Sequence, residues 1–165
     1  MEIRNAGPSE LGLLSGLHRR SSYVWERDRA QLDAHPDALG VAPEAIGECR
    51  VRAAIGSDGA IVGFCTVAAG PERVCVLDDL FVEPHLMRQG IGRALVEDAA
   101  ARATSAGDVE MTVVAHARNF AFYESVGFVR AGPTETRFGP ATLMRKPLRT
   151  ADPSPARSGP PRIDV

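Results

Sequence analysis

Two adjacent carboxylates and a glycine-marked loop carry most of the chemistry that this chain offers to a reader of its sequence. Asp78 and Asp79 stand side by side in the otherwise apolar stretch from Val74 to Val82. Burying a carboxylate without a partner is costly, so each needs a donor or a cation nearby. On a regular strand the two point to opposite faces, one toward a substrate groove and the other toward a structural donor. Asp78 shares parity with Leu80 and Val82, although a bulge would exchange the faces. A carboxylate at a groove can hold an ammonium group and receive the proton that an amine loses before it attacks a carbonyl. Asp78 and Asp79 are thus candidate bases, and Asp78 also a substrate anchor; the plainer reading is a pair of satisfied structural aspartates.

A few residues on, Met87-Arg88-Gln89-Gly90-Ile91-Gly92-Arg93 reads as a loop that turns into a helix. Glycines there remove side chains, so backbone N–H groups can approach an anion closely. Arg88 and Arg93 flank the turn with positive charge, and a diphosphate is the ligand such a cradle suits. Simple steric relief at a strand-to-helix junction is the alternative. A dinucleotide fingerprint would need G-x-G-x-x-G after a first strand, whereas Ala94-Leu95 follow here and the motif sits mid-chain. A nucleotide-triphosphatase loop would need Gly-Lys-Ser or Gly-Lys-Thr, which the sequence lacks.

The elements that must position these groups alternate in type. A short strand near Ile3 precedes a helix carrying Leu11, Leu14 and Leu17 at helical spacing, and a second helix is expected over 23–34, ended by Pro36. Residues 39–47 read as loop. Alternation at Val51, Ala53 and Ile55, the turn Gly56-Ser57-Asp58-Gly59 and the run 61–68 predict a hairpin. Val74 to Val82 is apolar on both faces, which suits a central strand covered on both sides. A helix over 89–104 carries Ile91, Leu95, Ala99 and Ala103 on one face, with Gly107 available to stop it. A strand at 110–114, a helix at 118–126 ended by Gly127, and strands at 128–130 and 141–144 complete the order. Residues 149–165 are rich in proline and read as a disordered tail behind one domain spanning 1–148.

At 165 residues and 44% hydrophobic content, one domain can bury roughly two-thirds of its unfolded surface. A net charge of −2 argues against a nucleic-acid binder that works through a broad basic field. The first residues lack a basic-then-apolar leader, and no apolar run approaches the ~20 residues of a membrane span, so a cytoplasmic protein is expected. Cys49, Cys65 and Cys75 fall in apolar, strand-like segments without C-x-x-C spacing and read as buried free thiols. His18, His35, His85 and His116 show no i, i+4 ligand spacing, so no metal is implied.

Met87-Arg88-Gln89-Gly90-Ile91-Gly92 resembles the pyrophosphate loop of the GNAT superfamily of N-acetyltransferases, Gln/Arg-x-x-Gly-x-Gly/Ala, with Met87 in the place of the usual Gln or Arg. Asn119-Phe120-Ala121-Phe122-Tyr123-Glu124-Ser125-Val126-Gly127-Phe128 resembles the family's Phe-Tyr-x-x-x-Gly-Phe signature. The resemblance spans residues 49–144. It implies an α/β (α+β) fold of the acyl-CoA N-acyltransferase type, a mixed sheet splayed near its centre and flanked by helices. Acetyl-CoA would be co-substrate, its pantetheine arm along the backbone of Leu80, Phe81 and Val82 and its phosphates at Arg88, Gln89, Gly90, Gly92 and Arg93. By the same resemblance Tyr123 is the general acid toward the departing thiolate, Asn119 contacts the cofactor, and Trp25 lines the acceptor pocket.

The expected function is acetyl transfer from acetyl-CoA to an amine of a small molecule or peptide, by direct attack. A non-catalytic acyl-CoA-binding sensor or interaction module is the alternative, since a fold does not guarantee chemistry. Expected partners are acetyl-CoA and an amine acceptor, with no nucleic acid and no membrane; the family commonly forms homodimers.

Overall fold

The computed structural model describes residues 1–24 and 29–148. A seven-stranded mixed sheet has the order β1-β2-β3-β4-β5-β7-β6. Its strands are β1 (Glu2–Asn5), β2 (Val51–Ile55), β3 (Ile61–Ala69), β4 (Val74–Val82), β5 (Glu110–Ala115), β6 (Val129–Thr136) and β7 (Gly139–Pro147). Every neighbouring pair is antiparallel except β4 with β5. The helices are α1 (Leu11–Ser22), α2 (Arg29–Ala34), α3 (Pro43–Gly47), α4 (Ile91–Ala106) and α5 (Phe120–Ser125). This is the mixed, helix-flanked sheet that the sequence leads one to expect, with β4 at its centre.

Core packing explains why β2, β3 and β4 are apolar on both faces. On one face α4 buries Ile91, Leu95, Val96, Ala99 and Ala103 against Ala54, Cys65, Leu77 and Met111. On the other, Leu14 and Leu17 of α1 meet Val51, Ala53 and Phe64, joined by Ala45 and Ile46 of α3. Alternate residues of one strand thus feed two separate cores, the pattern that alternation of side chains requires. Gly107 ends α4 as expected, its N–H reaching back to the Ala103 carbonyl.

Several boundaries differ from the sequence reading. Residues 39–47 are not all loop, because Pro43–Gly47 forms α3. Proline at the first helical position and Glu44 in the first turn favour a helix start, and burial of Ala45 and Ile46 supplies the packing that five residues lack by themselves. Cys49 is exposed, not buried; it lies with φ 56° in the turn between α3 and β2. Cys65 and Cys75 are buried as expected. Of the expected helix over 23–34, Tyr23 instead caps the end of α1 and Arg29–Ala34 forms α2, while residues 25–28 lie outside the described residues. Helix α5 begins at Phe120 rather than at residue 118, after a single 3-10 turn at Ala117–Asn119. Strands β6 and β7 run well past the expected segments; Gly132 and Pro133 disguise β6 in the sequence, and it is an edge strand with an irregular register at Arg130/Gly132. The expected tail at 149–165 lies outside the described residues, as does Trp25.

Leu95 is fully buried between α4 and the sheet. Leu95→Ala should lower unfolding stability by about 2–5 kcal/mol through lost burial and the cavity left behind. Urea denaturation monitored by circular dichroism measures this, and a loss under about 1 kcal/mol would contradict the packing described.

Candidate functional site

The parallel ladder between β4 and β5 lasts for only three pairs, Val74↔Glu110, Cys75↔Met111 and Val76↔Thr112. Beyond Val76 the strands separate, although β4 continues to Val82 and β5 to Ala115. A bulge accompanies the separation. On β3, Thr66 and Val67 are consecutive, yet they pair with Asp79 and Leu77, so Asp78 has no opposite residue. Such an insertion bends and twists the strand that carries it. It also resets the alternation, so Leu77 and Leu80 both reach the α4-side core while Phe81 reaches the α1-side core.

Between the parted strands lies a groove of about 1630 Å³. Residues 78–82 form one wall, and Val114, His116 and the start of α5 form the other. The opening turn of α4 lies at one end, whereas α1, α2 and Phe138 from the β6–β7 turn border the other side. The sequence thus brings Asp78, Asp79, Leu80, Phe81, Val82, Arg88, Gly90, Gly92, Arg93, Asn119 and Tyr123 to one cavity. Gln89 does not line it; its side chain points to the His85 carbonyl at 3.5 Å. Met87, the departure from the loop pattern, does line it.

The start of α4 has the properties of an anion cradle. Arg88 and Gly90 both have left-handed backbones, with φ 63° and 86°. The helix N-cap makes no side-chain cap bond, so the first-turn N–H groups, which lack intrahelical partners, are left for a ligand. The two glycines serve different ends. Gly90 is required by its φ, while at Gly92 a Cβ would lie 3.3 Å from the Phe122 ring. Gly92 therefore also sets the close approach of α4 to α5. Arg93 ties the same two helices, donating to the Ser125 carbonyl at 3.0 Å. Arg88 makes no ion pair among the described residues, and its charge is free to face a phosphate.

Asp78 and Asp79 depart from the expected arrangement of one in the groove and one on a structural donor. The bulge lets both border the groove, and neither forms an ion pair among the described residues. Partial burial raises the carboxyl of Asp78, and the Asp79 charge adds to that rise, with Arg50 opposing it. Burial likewise raises Asp79, offset in part by the nearby Thr66 hydroxyl. Two unpaired carboxylates with raised pKa in a groove are suited to meeting a cation.

Tyr123 is 9% exposed and packs edge-on between Phe122 at 5.1 Å and Phe128 at 5.5 Å. Burial, then the charge of Asp79, pushes its phenol up to about 12. The hydroxyl is therefore firmly protonated at neutral pH, and it has no hydrogen-bond partner among the described residues. Asn119 occupies the N-cap position of α5 without making a side-chain cap bond, so its amide is not spent on the helix.

Some lining residues escaped the sequence reading. His18 of α1, Arg29 of α2 and Phe138 all border the groove. His18 shares a helix face with Leu14, Leu17 and Ser21, and a polar residue on that apolar face was the available signal. Among the described residues no group of three His, Cys, Asp or Glu side chains could hold a metal ion, and no helix is long and apolar enough to cross a membrane.

Comparison with solved structures gives the same sheet. The PaiA N-acetyltransferase from Thermoplasma acidophilum, solved with coenzyme A, superposes with a TM-score of 0.68 at 19% identity, covering 88% of this chain and 98% of that one. An aminoglycoside 6'-N-acetyltransferase complexed with coenzyme A gives 0.70 at 19% identity, covering 99% and 100%. A phosphinothricin acetyltransferase from Sinorhizobium meliloti in complex with AcCoA gives 0.65 at 20% identity, covering 89% and 88%. At these identities the likeness establishes the fold. No curated protein matches the chain. The model of the acetyltransferase (GNAT) domain, however, matches residues 51–147, from the start of β2 to the end of β7. The chain therefore belongs to the GNAT acetyltransferase family.

Proposed function

We propose that this acetyltransferase moves the acetyl group of acetyl-CoA to a primary amine by direct attack, within the cleft between β4 and β5, and that it works in the cytoplasm as one domain over residues 1–148. The observation that carries the reading is the cleft itself: two strand edges part after Val76, and an unpartnered, protonated Tyr123 hydroxyl stands beside them. An extended pantetheine arm offers amides to the free edge of β4 at Leu80, Phe81 and Val82, in the manner of an added strand. Gly90, the first-turn amides of α4 and Arg88 receive the diphosphate, and Asn119 contacts the same ligand.

The chain's own groups then divide the work. Asp78 and Asp79 draw the acceptor's ammonium group into the groove and accept its proton, directly or through water. The amine lone pair attacks the acetyl carbonyl, whose developing negative charge is met by backbone N–H groups of β4. As the C–N bond forms and the C–S bond breaks, the attacking nitrogen gives up its second proton to water and the Tyr123 hydroxyl protonates the departing thiolate. A thiol has a pKa of ~8.5, so a phenol held near 12 is a weak acid toward it. Its value lies in a hydrogen bond that strengthens as charge builds on sulphur, with the proton recovered from solvent afterwards.

A binding module without turnover predicts coenzyme A binding but no thiol release. Incubating the protein with acetyl-CoA and a panel of primary amines, with thiol release followed by colour, separates the two. Acceptor-dependent release supports transfer, and binding without release supports the module.

Two substitutions test the roles. Tyr123→Phe should lower kcat by about a hundredfold with little change in the KM for acetyl-CoA, read in steady-state assays; equal turnover would remove Tyr123 from the mechanism. Gly90→Ala forces an L side chain into a left-handed backbone, at a cost of about 1–2 kcal/mol. Calorimetric titration should show coenzyme A binding weakened about fivefold or more, and unchanged affinity would take the cradle away from Gly90.

A further inference from the structure

His18 borders the groove yet has no part in the chemistry above. It is only 6% exposed. Its imidazole stacks on Phe81 of β4 with ring centroids 4.0 Å apart, and meets Phe64 of β3 edge-on at 6.3 Å. The ring is thus held by two aromatic contacts, while its Nδ1 is buried without a hydrogen-bond partner. Burial holds the group below the usual histidine range despite the Gly40 backbone beside it, so the ring is neutral and can donate or accept.

A second buried polar group lies close by in the fold. Thr66 is 4% exposed, and its hydroxyl has no partner of good hydrogen-bond geometry, with the Asp79 carboxylate the group beside it. Thr66 stands opposite Asp79 in the β3–β4 ladder, just as Phe64 stands opposite Phe81. Cross-strand partners share a face, and residues two apart share it too. His18, Thr66 and Asp79 therefore gather on the α1 side of the sheet, with His18 and Asp79 at the groove wall. Buried polar atoms are nearly always paired, and an unpaired Nδ1 on a residue that borders the groove calls for a ligand.

We propose that this patch recognises the acceptor, with Asp79 taking the amine end and His18 hydrogen-bonding a neutral polar group beside it. The inference rests on the acetyl-transfer reading and names the acceptor class: a primary amine with a hydroxyl or amide two or three bonds from the reacting nitrogen. Asp79 and Phe81, over which His18 stacks, are two residues apart on the strand, roughly 7 Å. An amine and a hydroxyl so spaced, each with a hydrogen bond of roughly 3 Å, bridge that distance. A plain alkylamine leaves the ring nitrogen unpaired. Ser21, one helical turn from His18 and also at the groove wall, adds a polar group on the same side.

Ethanolamine and propylamine differ by a hydroxyl against a methyl group and serve as probes. With acetyl-CoA saturating, kcat/KM for ethanolamine should exceed that for propylamine by about tenfold or more, as expected when a buried polar group is left unpaired. His18→Phe keeps the aromatic stack and removes both nitrogens. It should bring the ratio close to one by raising the KM for ethanolamine, with kcat and the KM for acetyl-CoA retained. His18→Asn returns a polar group near the position of Nδ1 and should restore part of the preference. A parent ratio near one, or a ratio that survives His18→Phe, overturns the proposal, as does an equal loss with both amines. Turnover of other amines in the panel, with neither probe accepted, overturns the proposal and leaves acetyl transfer standing. No turnover with any amine overturns the acetyl-transfer reading itself.

Discussion

Backbone hydrogen bonding is obligatory, and a sheet that opens at its centre must leave donors and acceptors without strand partners. Here β4 and β5 pair for three residues and then part. The candidate site residues among the described ones are arranged around that gap. The buried end of the sheet is held shut by α4, whose Leu95 and Val96 are fully enclosed, and by β7, which pairs along all of β5 from Glu110 to Ala115. The open end is kept apart by what enters it: the Tyr123 and Phe122 rings from α5 on one side and the bulged segment at Asp78 on the other. The free edges are then satisfied by water or by a ligand with amides of its own, which an extended pantetheine arm provides.

The opening turn of α4 and the start of α5 are coupled mechanically. Gly92 lets the Phe122 ring lie against the helix, and Arg93 donates to the Ser125 carbonyl. Lys146 adds a further tie by donating to the Val126 carbonyl at 2.6 Å, beyond the end of α5. The start of α4 and the helix that carries Tyr123 thus form one unit. In the proposed mechanism, a diphosphate fixed at one end would therefore position the other end of the same cofactor against Tyr123, and binding at a distance from the reacting atoms would become orientation at them.

Much of this was legible in the sequence because it is written in periodicity. The apolar runs of β3 and β4, the spacing of Ile91, Leu95, Ala99 and Ala103, and the glycines at 90 and 107 each correspond to a local rule. The site residues at Arg88, Gly90, Asn119 and Tyr123 follow from the motifs and do reach the groove. What was hidden depends on tertiary pairing. The bulge at Asp78 carries no glycine to announce it, and it arises where β4 is drawn away from β5. Helix α3 is too short to show a period. His18 reads as one polar residue on an apolar helix face, and only the packing of α1 over Phe81 places it at the groove.

The central claim is that the parted strands hold acetyl-CoA with its sulphur at Tyr123. A crystal structure of the protein with coenzyme A measures this directly. The account predicts the pantetheine arm between β4 and β5, hydrogen-bonded to the backbone near Leu80 and Val82, with the sulphur roughly 3–4 Å from the Tyr123 hydroxyl. Coenzyme A bound outside the cleft, or a sulphur too distant for Tyr123 to reach, would contradict it.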